Sequence, residues 1–210
     1  MHVRRLTAAL LLVLAAVAGC DTNPAPRSAG PAPVAAQAGL ARPAPSGNVA
    51  APNGVDLLFA KMMVVHHSQA VQMSRTLLTK QGVPERAQNI ARYIEQDQQR
   101  EIDQMDEWLQ AWGRPPVNPA DPLIRQLHGD GAGHAMLTDA QLAEIAQAAP
   151  AAATGLYLRH MIEHHRGAIT MARSALEDGT NVYIRGLAKH IINEQTSEID
   201  AMRELLREPG

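Results

Sequence analysis

The chain contains the stretch FAKMMVVHHSQAVQM at positions 59–73 and a similar stretch, YLRHMIEHHRGAITM, at positions 157–171. The two align without a gap, and their identical residues are Met63 with Met161, His66 with His164, His67 with His165, Ala70 with Ala168 and Met73 with Met171. A second pair of segments aligns downstream, and its matched residues are Ile94, Gln98, Glu101, Ile102, Asp103 and Met105 with Ile191, Gln195, Glu198, Ile199, Asp200 and Met202. We therefore interpret the chain as two copies of one helix pair, in residues 55–113 and 153–207.

Signals for helix ends surround these segments. Pro84 can begin the second helix of the first half, and Gly179 follows the predicted end of the first helix of the second half. Between the halves, Thr138 and Gln141 form a predicted capping box that opens a short helix. Hydrophobic residues make up 46% of the chain but aromatic residues only 3%, which favours helices over β-sandwiches. The sequence predicts an all-α domain at residues 55–208, a four-helix bundle with one longer crossover that contains the short helix.

The first residues have the features of an export signal. Two arginines precede an apolar run, Leu6 to Val17, that is too short to cross a bilayer comfortably. The sequence Val-Ala-Gly-Cys that ends at Cys20 resembles a lipoprotein signal-peptidase site, which implies removal of residues 1–19 and acylation of the cysteine. The alternative is an ordinary secretory signal with a chance cysteine.

The segment after the signal is predicted to be a tether. Residues 20–54 contain the lipidated cysteine and a Pro- and Ala-rich stretch without helical period, which is typical of a disordered spacer. This organisation predicts a protein of the bacterial cell envelope, anchored to a membrane by lipid on the extracytoplasmic side. Cys20 is the only cysteine, so its acylation leaves no thiol for a disulfide, a nucleophile or a metal site. The net charge of −2 and the lack of a long basic run argue against nucleic acid as a partner.

The repeated helices concentrate metal-ligating side chains on single faces. At about 100° per residue, one broad face of the second copy carries three histidines and two methionines, and the first copy matches it except that Met62 replaces His160. On the downstream helices, Glu101 and Glu198 lie on the apolar stripe, where a carboxylate is costly unless it is paired or bound. The candidate metal ligands are His160, Met161, His164, His165, Met171, Glu198, Met202, His66, His67, Met63, Met73 and Glu101.

The chemistry of this set favours copper, particularly Cu(I), because thioether and imidazole are soft ligands; imidazole with carboxylate would suit zinc or iron. A plainer interpretation makes the methionines core residues and the histidines hydrogen-bond partners of Glu101 and Glu198. The Gly-rich linker with His128, His134 and Met136 is either a further metal-binding loop or a solvated connection. His190 has no aligned histidine, because Arg92 or Tyr93 stands there, and it is predicted to be structural.

The stretch MIEHHRGAITM at 161–171 resembles the signature of the family called domain of unknown function 305, as do its repeat at 63–73 and the Gln-x-x-Glu-Ile-x-x-Met segments. The similarity extends over about Val55 to Leu206. It implies a ferritin-like four-helix bundle that is exported or membrane-attached. It also implies copper, because some members are periplasmic copper-binding proteins, tied to copper resistance, that use Met and His. The substitution at Met62 departs from the symmetry that two equivalent sites would require.

Three functions follow from these features. The first is a lipoprotein that binds a transition metal, copper above all, and sequesters it or transfers it to other copper-handling proteins. The second is a non-catalytic structural or partner-binding module of the envelope. The third, a di-metal carboxylate oxidase, needs Glu-x-x-His pairs that both histidine helices lack, since Glu163 directly precedes His164. The sequence contains no convincing catalytic constellation, and we expect that the protein is not an enzyme.

Overall fold

The protein is all-helical in the computed structural model, which describes residues 50–121 and 134–208. The helices in these two ranges are α1 (Gly54–Leu78), α2 (Glu85–Ala111), α3 (Asp139–Gln147), α4 (Pro150–Asp178) and α5 (Val182–Arg207). The predicted signal peptide, Cys20, most of the tether and His128 lie outside the described residues. Within the described part of the chain, none of the helices combines the length and the apolarity that a membrane crossing requires.

The helix ends follow local sequence signals. Thr138 and Gln141 form the capping box that the sequence predicts, and α3 begins directly after it. Pro84 precedes the first residue of α2, and Gly179 caps the end of α4. Gly113, just after α2, has φ of +69°, a conformation that glycine adopts without steric cost.

The four long helices form a ferritin-like bundle of two hairpins, α1–α2 and α4–α5. The hairpins meet mainly through α1 and α4, whereas α2 and α5 contact each other less, and α3 packs on α1 and α4. The all-α, ferritin-like prediction is thus confirmed. The core divides into two apolar clusters. The first cluster contains Met62, Met63, Met105 and Met171, and the second contains Met73, Met161 and Met202. Along α4 the paired histidines fall between the residues of the two clusters, and the same holds along α1 except for Val71, which belongs to the first cluster.

Asp56 ties the start of α1 to the turn between α4 and α5. It is fully buried, and its Oδ2 accepts hydrogen bonds from the backbone N–H groups of Asn53, Thr180 and Asn181 and from the Thr180 hydroxyl. Asn53 in turn caps α1 and donates to the Asp178 carbonyl. One carboxylate therefore satisfies donors at two helix ends that would otherwise be buried without partners.

Candidate metal centre

Four histidines form a buried layer in the middle of the bundle. His66 and His67 lie on α1, His164 and His165 lie on α4, and all four are 0% exposed. The rings of His66 and His164 are in contact, with centroids 3.7 Å apart and planes tilted by 34°, and within each adjacent pair the centroids are 6.4 Å apart. The contact between α1 and α4 thus brings together residues that are far apart in the chain.

Two histidines of this layer, His67 and His165, each form a hydrogen bond with a buried carboxylate. The Nε2 atom of His67 lies 2.7 Å from Glu101 Oε2 on α2, and the Nε2 atom of His165 lies 2.8 Å from Glu198 Oε2 on α5. These are the hydrogen bonds that the plainer interpretation of the sequence requires. They leave the Nδ1 atoms of His67 and His165 buried, and neither atom has a hydrogen-bond partner within residues 50–121 and 134–208. Imidazoles that ligate metals show this arrangement, one nitrogen bound to a carboxylate and the other available.

Burial dominates the electrostatics of this pair. Burial, together with the neighbouring His67, lowers the pKa of His165 to about 3, and Glu101 opposes this shift. Burial also raises the pKa of Glu198 well above its ordinary value, helped by the nearby acids Asp97 and Glu194. An ion pair would shift both groups in the opposite directions, so the cost of burying charge outweighs the attraction. His165 is therefore neutral at ordinary pH, which is the form that binds metal.

The segment just before α3 closes one side of the histidine layer. The Nε2 atom of His66 lies 2.8 Å from the backbone carbonyl of His134, which accepts a hydrogen bond from it. Gln69 exchanges two hydrogen bonds with the backbone of Leu137. Gly167 on α4 lets this segment approach, because a Cβ atom there would lie 2.0 Å from the His134 carbonyl oxygen. This part of the linker is therefore docked on α1 and α4 rather than being a solvated connection.

The methionines lie on both sides of the histidine layer. Met63 and Met171 belong to the first cluster, whereas Met73, Met161 and Met202 belong to the second. Met62 and Met171 also line a cavity of about 250 Å³ together with His134. The thioethers are thus packed as core residues, and two of them also face a cavity.

Two histidines fall in places that the helical pattern did not indicate. His160 is only half-buried, and within the described ranges no ring contact or ion pair links it to the four-histidine layer. His190 lies with its Nε2 atom 3.6 Å from Glu101 Oε1, next to Asp97. Neither Asp97 nor this contact was recognised in the sequence, because Asp97 and His190 belong to different helices whose packing no local pattern specifies. The one signal in the sequence was that His190 aligns with Tyr93, so that the first half has no histidine at the matching position.

Comparisons with known proteins agree with this architecture. Residues 56–206 match the family model described as domain of unknown function (DUF305). A DUF305 fragment from Deinococcus radiodurans is 26% identical, with 75% of this chain and 98% of that chain covered and a TM-score of 0.66. A DUF305 protein from Streptomyces coelicolor, described as secreted, is 34% identical, with 72% and 91% covered and a TM-score of 0.63. CopM in its Cu(I)-bound form is 30% identical, with 71% and 94% covered and a TM-score of 0.57. CopM also has Cu(II)-bound and silver-bound structures. A search of curated sequences gives no significant match.

Proposed function

The chain belongs to the DUF305 family, and from that premise we propose that it is an extracytoplasmic protein that binds copper through its buried histidines and methionines. The observation that carries the proposal is the pair of buried Nδ1 atoms on His67 and His165, each on a ring whose Nε2 is held by a carboxylate. A purely structural hydrogen bond needs only one nitrogen of each ring. A metal ion would use the other nitrogen, and the carboxylate would orient the ring and raise its basicity.

Copper fits the donor chemistry better than harder ions do. The residues available to a soft ion are the imidazoles of the histidine layer and the thioethers of the two apolar clusters. The only cysteine of the chain lies outside this domain, at position 20. Support also comes from CopM, whose structures include Cu(I), Cu(II) and silver forms. We propose that the protein sequesters the ion or passes it to other copper-handling proteins, and that it is not itself an enzyme.

The location is proposed from the sequence. The Val-Ala-Gly-Cys motif ending at Cys20 supports a lipid anchor after removal of residues 1–19, and the Streptomyces relative is described as secreted. Replacing Cys20→Ser should move the protein from the membrane fraction to the soluble fraction and abolish incorporation of labelled fatty acid. Unchanged fractionation and labelling of this variant would exclude the anchor.

Copper binding is tested by competition with a chromophoric Cu(I) chelator on the purified full-length chain. We expect a micromolar or tighter Kd, and an affinity at least about tenfold weaker when both His164→Ala and His165→Ala are introduced. His160→Ala is the matched control, because it removes a histidine from the same helix outside the buried layer. If the wild-type protein does not compete for copper and its melting temperature is unchanged by the metal, the protein is instead a structural or partner-binding module. If His160→Ala weakens binding as much as the double variant does, the site lies elsewhere on α4.

A further inference from the structure

A second group of ligating side chains lies at the contact between α2 and α5. Asp97 and Glu101 are one turn apart on α2, and His190 reaches them from α5. One ligand atom from each of the three residues lies within 4.8 Å of the other two, and His190 Nε2 lies 3.6 Å from Glu101 Oε1. The ligand atoms of a tetrahedral zinc site lie about 3.3 Å apart, given bond lengths near 2.0 Å. Side-chain movements of about an ångström would close the group around an ion.

The two carboxylates of this group are buried, and few hydrogen bonds or opposite charges offset the cost of burying them. The side chains of Asp97 and Glu101 are 7% and 6% exposed. Glu101 Oε2 binds His67, but its Oε1 is buried and has no hydrogen-bond partner in the described ranges. Arg100 pairs with Asp97 from the surface, and within residues 50–121 and 134–208 it forms no ion pair with Glu101. Two buried acids side by side destabilise the fold unless a cation lies between them. The side chain of His190 is 28% exposed, so solvent and ions can reach the group from that side.

The repeat supplies an internal comparison for this group. The alignment that matches Ile94 with Ile191 also matches Asp97 with Glu194, Glu101 with Glu198 and Tyr93 with His190. Beside the acids of the second copy, the hydroxyl of Tyr93 from α2 donates a hydrogen bond to Glu194 Oε1, so that this carboxylate already has a partner. Beside the acids of the first copy, the imidazole of His190 from α5 takes the place of the phenol, and its Nε2 can ligate a metal. The two halves have therefore diverged at the residue that decides between a hydrogen bond and a metal ligand.

We infer that Asp97, Glu101 and His190 form a second metal site, which takes a divalent cation of borderline hardness such as Zn²⁺ or Cu²⁺. Two carboxylates with one imidazole suit these ions, whereas Cu(I) prefers the thioethers and imidazoles of the bundle core. Glu101 contributes to both proposed sites, because its Oε2 orients His67 of the histidine layer and its Oε1 faces the second site. The inference goes beyond the proposed copper function and does not depend on it.

The site is tested by titrating the purified full-length chain with Zn²⁺ against a chromophoric zinc chelator. We expect a micromolar or tighter Kd, weakened by at least about tenfold in Asp97→Asn and in His190→Tyr. The tyrosine variant reproduces the residue that the other half has at the matching position, and the smaller His190→Gln is a second variant if the tyrosine variant folds poorly. Asp103→Asn, which removes an exposed acid from the same helix, should leave zinc affinity unchanged.

The complementary variant is Tyr93→His, which places an imidazole beside Glu194 and Glu198 and should add one further equivalent of bound zinc. Cu(I) affinity, measured in parallel, should be the same in wild type, Asp97→Asn and His190→Tyr. Failure of Cu(I) binding alone would overturn the copper proposal and leave this site standing. The inference is overturned if the wild-type protein binds no zinc at micromolar concentrations, or if both His190 variants bind zinc as tightly and in the same amount as wild type.

Discussion

Replacing Glu198→Gln probes the link between the buried carboxylate and His165, the histidine that we propose binds the metal. Glu198 Oε2 lies 2.8 Å from His165 Nε2, and the residue is only 7% exposed, so water cannot replace the hydrogen bond. The carboxylate accepts a hydrogen bond from the Nε2–H group of His165 and leaves Nδ1 available for the proposed ion. A carboxamide is neutral, and its NH₂ group can face Nε2 and select the wrong tautomer. Loss of such a partner typically weakens metal binding by about 10- to 100-fold, or about 1.4–2.8 kcal/mol.

The assay is chelator competition for Cu(I) on the full-length chain, with the melting temperature of the metal-free protein measured beside it. Because burial raises the pKa of Glu198, removing its charge should not lower the stability of the metal-free fold. Glu163→Gln is the control, since Glu163 is a surface acid on α4 with a 60% exposed side chain that pairs with Arg166. A change of less than about threefold in copper affinity for Glu198→Gln would refute the argument that the carboxylate supports a ligand.

Three further predictions concern stability. Gly167→Ala should cost about 2 kcal/mol in the free energy of unfolding, because the new Cβ would force the His134 backbone away from α4. Asp56→Ala should cost about 4 kcal/mol and lower the melting temperature by about 10 °C, because it strands buried donors at two helix ends. Urea unfolding over a pH series should show stability falling as the pH drops from about 4.5 to 3. In that range the unfolded state binds a proton at residue 165 more readily than the folded state does, because the pKa of His165 is lowered on folding. Between about pH 6.5 and 4.5 the raised pKa of Glu198 has the opposite effect, because the folded state binds the proton more readily there, and it offsets the loss of stability caused by His165.

A control variant accompanies each of the three stability predictions. Gly186→Ala on α5 places a methyl group in open space, so it should be neutral or stabilising by up to about 1 kcal/mol. If Gly167→Ala changes the free energy of unfolding by the same amount as Gly186→Ala, the linker does not dock on α4. Asp103→Ala should stay within about 0.5 kcal/mol of wild type, and a similarly small effect of Asp56→Ala would contradict the role of the buried carboxylate. His165→Gln should flatten the acid decline, and an unchanged pH profile would assign it to other groups.

The periodicity of the sequence was sufficient to predict the helices and the faces they bury. Apolar residues at helical spacing, with a capping box at Thr138, indicated an all-α bundle of two hairpins, and the structure has that fold. The same spacing placed Glu101 and Glu198 on the buried stripes, and both are buried. It succeeded because the angle of a residue around its own helix axis depends only on its position along the chain.

Which side chains meet across the bundle was decided only by tertiary structure. Three contacts depend on which helices are neighbours and on their axial register: the ring contact of His66 with His164, the hydrogen bond to the His134 carbonyl and the approach of His190 to Glu101. Helical periodicity contains neither quantity. For the same reason the pattern grouped His160 with the buried histidines, although it lies half-buried and apart from them. The sequence by itself determined which kinds of ligand the bundle carries, and packing between the helices decided which of them share a site.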